Sequence, residues 1–128
     1  MAEVVVDTSA LVDLLLANDL GQAVGKRLAG TGLHAPAHVA AEVLSALGRL
    51  HRAGDLGADI VEMKLNALAA APITRHGVDD LLLGAWARRH RLRLADALYV
   101  ELAAQLDCPL VTTDRRLRDE PVADIISI

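Results

Sequence analysis

Val4-Val5-Val6 is an unbroken β-branched run, closed at once by Asp7. Such a run suits a strand buried on both faces, because neither alternate position is polar. Leu33 to Ala35, Pro72-Ile73-Thr74, Pro109 to Thr112 and Ile125 to Ile128 are further short extended candidates. Between them lie segments of helical spacing: one through Leu11, Leu14 and Leu15, one from Asp19 to about Ala29, and one from Pro36, as its first turn, to about Ala53. Three more follow, from Ala58 to Ala70, from Val78 to His90 with Leu81, Leu82, Ala85 and Trp86 inward, and from Ala95 to Leu106. Short apolar strands alternating with helices predict a parallel sheet covered by helices on both faces. In such sheets ligands bind beyond the carboxyl ends of the strands.

At 128 residues with no linker-like tract, the chain reads as one domain spanning 1–128. Only 2% of residues are aromatic, so base stacking is a poor basis for binding single strands. A net charge of -4 excludes nucleic-acid binding by bulk charge, though not by a local basic patch with a cation. Cys108 is the sole cysteine and permits no intramolecular disulfide, which fits a reducing cytoplasm. The N-terminus lacks a basic region followed by a long apolar run, and no stretch is long enough to span a membrane. The expectation is a soluble cytoplasmic protein with no membrane partner.

Four acids stand out. Asp7 and Asp114 each follow a strand, so both are expected at the same edge of the sheet. Glu42 lies about 60° around its helix from Val39, at the border of the apolar stripe. Asp96 sits likewise at the margin of the arc formed by Ala95, Leu98, Tyr99, Leu102, Ala103 and Leu106. Taken singly, each acid is as well explained as a helix cap or a boundary salt bridge. Crowded together, four carboxylates call for a hard divalent cation, and an all-oxygen donor set suits Mg²⁺ or Mn²⁺. His34, His38, His51, His76 and His90 lack close pairing in the sequence, match no zinc spacing and read as surface or interface residues.

These segments resemble the motifs of PIN-domain ribonucleases. Val4 to Asp13 is similar to the opening motif, and Ala35 to Leu44, containing Glu42, to the second. Leu94 to Ala103, containing Asp96, is similar to the third, and Leu110 to Leu117, containing Asp114, to the fourth. They occur in the family's order over nearly the whole chain, and the length resembles that of VapC toxins of type II toxin–antitoxin systems. The resemblance implies a PIN-like three-layer α/β/α fold with a short parallel sheet of about five strands. It implies a Mg²⁺-dependent endoribonuclease leaving 5′-phosphate and 3′-hydroxyl ends, a VapB antitoxin as partner, and a homodimer. Gly54 to Gly77 carries no motif.

On this reading Asp7, Glu42, Asp96 and Asp114 are the catalytic and metal-holding residues, with Asp7 and Asp96 the first choice for direct ligands. The hydroxyls of Ser9 and Thr112 can bond a carboxylate or cap a helix, and capping is the plainer role. Thr8 only starts a helix, and Asp13 is a solvated acid or one that supports the site from behind, not a ligand. Arg115 and Arg116, next to Asp114, are expected to contact substrate phosphate. In the basic cluster Arg88 to Arg93, the stretch Arg88 to Arg91 is equally well read as a phosphate contact or as a solvated helix end. Leu11, Leu14 and Leu15 are expected to contribute to an antitoxin groove or to the core.

Three other functions fit parts of the pattern. A housekeeping PIN nuclease would share the acids. A silent binding module would use them only to pair with arginines. A receiver-like phosphoacceptor needs a Lys after its last strand, and none follows Ile125 to Ile128.

Overall fold

The computed structural model describes residues 2–128. The first strand, β1 (Ala2–Val6), is followed by helices α1 (Thr8–Leu16) and α2 (Asp19–Leu28). Next come β2 (Thr31–Pro36), α3 (Val39–Arg52), α4 (Ala58–Ala70) and β3 (Ile73–His76). A 3₁₀ turn (Asp79–Leu81) leads into α5 (Leu82–Ala87) and α6 (Leu94–Leu106). The chain then forms β4 (Leu110–Thr112), a 3₁₀ turn (Arg115–Leu117) and β5 (Ala123–Ile125).

The five strands pair in the order β3-β2-β1-β4-β5, all parallel. The α/β sheet expected from the sequence is therefore present, with β1 at its centre. Val4, Val5 and Val6 are all buried, so helices cover both faces of that strand. One helical layer places α6 on β1, β2 and β4, with α5 and the preceding 3₁₀ turn on α6. The other is α1 to α4 packed on one another, with α1 reaching β4 and α2 reaching β2. The chain winds from β1 outward through β2 and β3, then crosses back to β4. The strand order thus reverses between β1 and β4, and a crevice opens at the carboxyl ends there.

Three local expectations are corrected. Pro36 does not open a helix; it ends β2, pairing only with His76 of β3, where β1 no longer needs its missing N–H. The α3 helix starts at Val39 instead. Val78 to His90 is not one helix but a 3₁₀ turn and a short α5, because only Leu81 and Ala85 are buried. Leu82 and Trp86, expected inward, are 52% and 55% exposed. The last strand is Ala123–Ile125 and stops before Ile126-Ser127-Ile128. None of the described helices is long and apolar enough to cross a membrane.

Candidate active site

Asp7 leaves β1 beside the central crevice, with its N–H bonded to the Val111 carbonyl of β4. It also caps α1: Oδ1 accepts the Ala10 N–H at 3.0 Å and the Ser9 hydroxyl at 2.8 Å. Its Oδ2 accepts the Thr112 hydroxyl at 2.5 Å. With Asp7 as the cap of α1, the Ser9 and Thr112 hydroxyls both donate to its carboxylate. Thr112 is fully buried, and its oxygen also accepts the Asp114 N–H at 3.0 Å. Burial raises the Asp7 carboxyl from 3.8 to about 6 despite these donors, and the charge of Asp114 pushes the same way.

Glu42 stands on the first turn of α3. Its Oε1 accepts the Tyr99 hydroxyl at 2.7 Å and the Thr8 hydroxyl at 2.9 Å. His38 Nε2 lies 3.2 Å from the same oxygen. Burial pushes Glu42 up, but His38, Tyr99 and Thr8 outweigh it and hold the carboxyl below its usual range. Asp96, on the first turn of α6, pairs with Arg93 at 3.2 Å. Asp114 caps the turn after β4 through the Arg116 N–H and is gripped by the Arg116 guanidinium at 2.6 Å. That grip keeps its carboxyl low against the opposing effect of burial.

Asp7, Glu42, Asp96 and Asp114 line one cavity of about 750 Å³ at the strand ends. Ser9, Asp13, Tyr99, Arg49, Arg93 and Arg116 share its walls. The donor set is oxygen throughout, and Asp7 is an anion buried without a cationic partner. Both features fit a hard divalent cation. As the side chains stand, no three His, Cys, Asp or Glu groups among the described residues are drawn together closely enough to hold a metal ion. Arg93 and Arg116 instead supply positive charge to Asp96 and Asp114.

Several expectations shift. Arg116 reaches the cavity, whereas Arg115 is exposed and outside its lining. Leu11 is a core residue at 3% exposure and offers nothing to a partner, while Leu14 and Leu15 are half-buried against that core. Of its two expected roles Asp13 takes the one at the site: it accepts the Thr113 hydroxyl at 2.7 Å and lines the cavity. His34 and His76 are not isolated, their ring nitrogens meeting at 2.9 Å across β2 and β3. Thr8, read as a helix start, His38, read as a surface or interface residue, and Tyr99, placed in the apolar arc of its helix, were given no part in the site, yet all three meet Glu42. Each nonetheless lies beside a motif acid or one helical turn from it: Thr8 next to Asp7, His38 four before Glu42, Tyr99 three after Asp96.

Comparison with known proteins places these features in context. The PIN domain family matches residues 4–121. The chain is 58% identical over 116 residues to Ribonuclease VapC3 of Mycobacterium tuberculosis, covering 90% of this chain and 85% of the relative. Its backbone resembles that of M. tuberculosis VapC20, described as a sarcin-ricin loop cleaving toxin, with a TM-score of 0.75 at 16% identity. That match covers 97% of this chain and 99% of the other. It also resembles a chain of Rickettsia felis VapBC2 bound to a DNA fragment from their promoter, with a TM-score of 0.72 at 13% identity over 98% and 99%. At these identities the two structures speak to the fold alone.

Proposed function

The chain belongs to the PIN-domain family, and on that premise we propose that it is a VapC-type endoribonuclease toxin. Residues 1–128 act as one PIN domain in the cytoplasm. Its substrate is RNA, its inhibitor a VapB-type antitoxin, and its assembly a homodimer. The observation that carries this reading is the convergence of Asp7, Glu42, Asp96 and Asp114, from four separate elements, on one cavity at the strand-order reversal. The ribonuclease name of a relative at 58% identity supports the same activity.

Asp7 and Asp96 are the direct holders of Mg²⁺ or Mn²⁺, and Glu42 and Asp114 complete the site. When bound, such an ion polarises the scissile phosphate and offsets charge building on its non-bridging oxygens. Ser9 and Thr112 fix both oxygens of Asp7, so that carboxylate meets its ligand without reorganising. Arg116, at the cavity wall, exchanges Asp114 for a substrate phosphate when RNA enters. The remaining carboxylate oxygens orient the attacking water and accept its proton.

The test is cleavage of cellular RNA by the purified chain, with Mg²⁺ or Mn²⁺ and with chelator. Cleavage that needs the cation, leaves 5′-phosphate ends and is blocked by a co-expressed VapB-type protein is the expected result. RNA left intact under every condition would return the acids to a binding role.

A further inference from the structure

Glu42 uses its two oxygens unequally. Oε1 receives the hydroxyls of Tyr99 and Thr8 and has His38 Nε2 at 3.2 Å. Oε2 receives no hydrogen bond from any described residue, while Glu42 itself faces the cavity. The two hydroxyls also touch one another at 2.7 Å. Two hydroxyl protons therefore serve three short contacts, which ties the triangle together.

The donors come from two helices other than Glu42's own. Thr8 opens α1, Tyr99 lies in α6, and Glu42 is on α3. Tyr99 is 2% exposed, and its ring packs 5.0 Å from that of His38. Burial keeps its hydroxyl protonated far above the ordinary range, so it remains a donor. A carboxylate held through one oxygen by groups from two neighbouring helices loses its freedom to rotate, and its other oxygen acquires a fixed direction.

We propose that Thr8 and Tyr99 are positioning residues for the active site, binding Oε1 of Glu42 so that Oε2 is presented to the divalent cation and its water. This rests on the metal-dependent nuclease reading. The competing account is that the triangle only fastens three helices, in which case Glu42 would gain nothing at the cavity from either hydroxyl.

Tyr99→Phe removes the hydroxyl and keeps the ring. Thr8→Val removes the other at nearly constant shape, and Thr8→Ser retains it. Mn²⁺ affinity, measured by titration calorimetry, should fall roughly tenfold or more in Tyr99→Phe and Thr8→Val, as expected for losing a hydrogen bond to a charged group. Thr8→Ser should bind Mn²⁺ like the parent. In a Glu42→Gln background, Tyr99→Phe should change Mn²⁺ affinity no further, because its effect runs through Glu42.

Tyr99 is the only tyrosine, so its ultraviolet resonance Raman doublet reports this hydrogen bond without any metal. Glu42→Gln should shift that doublet away from a strong donor. Variants that melt lower yet bind Mn²⁺ like the parent would overturn the inference and leave a structural tie. An unmoved doublet in Glu42→Gln would overturn it as well. A parent chain that binds no Mn²⁺ at all would overturn the nuclease reading along with it, whereas a binding parent with unchanged variants overturns the inference alone.

Discussion

The Thr112 hydroxyl donates to Asp7 Oδ2 at 2.5 Å across 105 residues of sequence, joining the ends of the two strands that flank the strand-order reversal. Both residues are buried, so neither has water to replace the bond. Thr112→Val should therefore destabilise the chain by about 1–3 kcal/mol in denaturant unfolding, the cost of leaving a buried carboxylate short of a donor. Thr112→Ser should recover most of it. A Thr112→Ser variant less stable than Thr112→Val would show that the methyl group, not the hydroxyl, matters here.

The raised Asp7 carboxyl makes a signed prediction about pH. A group that titrates at 3.8 unfolded and about 6 folded binds more protons in the native state across that window. Without metal, the Asp7 contribution is most favourable below pH 4 and is lost as pH rises through about 6. The loss is on the order of 3 kcal/mol. Asp114 and Glu42, held low, lose their contributions only as pH falls further; His76, held below its usual range by burial, gains stability as pH rises through the same window, so the Asp7 share is the difference between the parent and Asp7→Asn. Thermal melts without metal should thus show the parent losing stability from pH 5 to 7 relative to Asp7→Asn. Saturating Mg²⁺ should offset that decline. A metal-free chain that gains stability between pH 5 and 7, equally in Asp7→Asn, would contradict this assignment.

Arg116 and Arg115 are adjacent, yet only Arg116 faces the acids. Arg116→Ala should flatten the salt dependence of RNA binding by roughly one unit of slope, and Arg115→Ala should leave it unchanged. Because Arg116 now neutralises Asp114, its loss should also leave Mn²⁺ binding as tight or tighter. Weaker Mn²⁺ binding in Arg116→Ala would show that the pair with Asp114 organises the site instead of competing for it.

The strand ends and the acids were legible because each is a local pattern: three β-branched residues then Asp7, and Leu110 to Thr112 then Asp114. Pro36 was misread because a proline suits a helix start and a strand end alike, and only the pairing of β2 beyond β1 decides between them. Val78 to His90 read as one helix because its apolar spacing is helical, while the short α5 presents Ala85 to the interior and leaves Leu82, Leu83 and Trp86 in solvent. The hydroxyl network around Glu42 depends on contacts 34 and 57 residues apart, which spacing within one helix does not encode. Tyr99 belongs to the apolar arc of α6, and only the fold gives its hydroxyl a partner.

Two glycines separate hard constraint from slack. A Cβ on Gly21 would overlap the Asp13 backbone carbonyl of α1, and that backbone is fixed by the helix. A Cβ on Gly32 would instead meet the carboxylate of Glu3, whose side chain is half-exposed and can swing away. Gly21→Ala should cost about 1–3 kcal/mol in unfolding free energy, and Gly32→Ala less than about 1 kcal/mol. Gly32→Ala should also break the Glu3 contact with His34, visible as altered His34 ring signals in NMR. The reverse order of costs would mean that α1 and α2 approach less closely than this fold requires.

The central claim is that the four acids form a metal-dependent nuclease site, and Asp96→Asn tests it most directly. Asp96 pairs with an Arg93 side chain that is 66% exposed, so losing that ion pair should cost little stability. The measurement is the RNA cleavage rate with Mg²⁺ alongside the metal-free melting temperature. The account predicts an unchanged or higher melting temperature and a cleavage rate lower by roughly 10² or more, equivalent to about 3 kcal/mol of transition-state stabilisation. An Asp96→Asn chain that melts well below its parent but cleaves RNA at the parental rate when cold would contradict it.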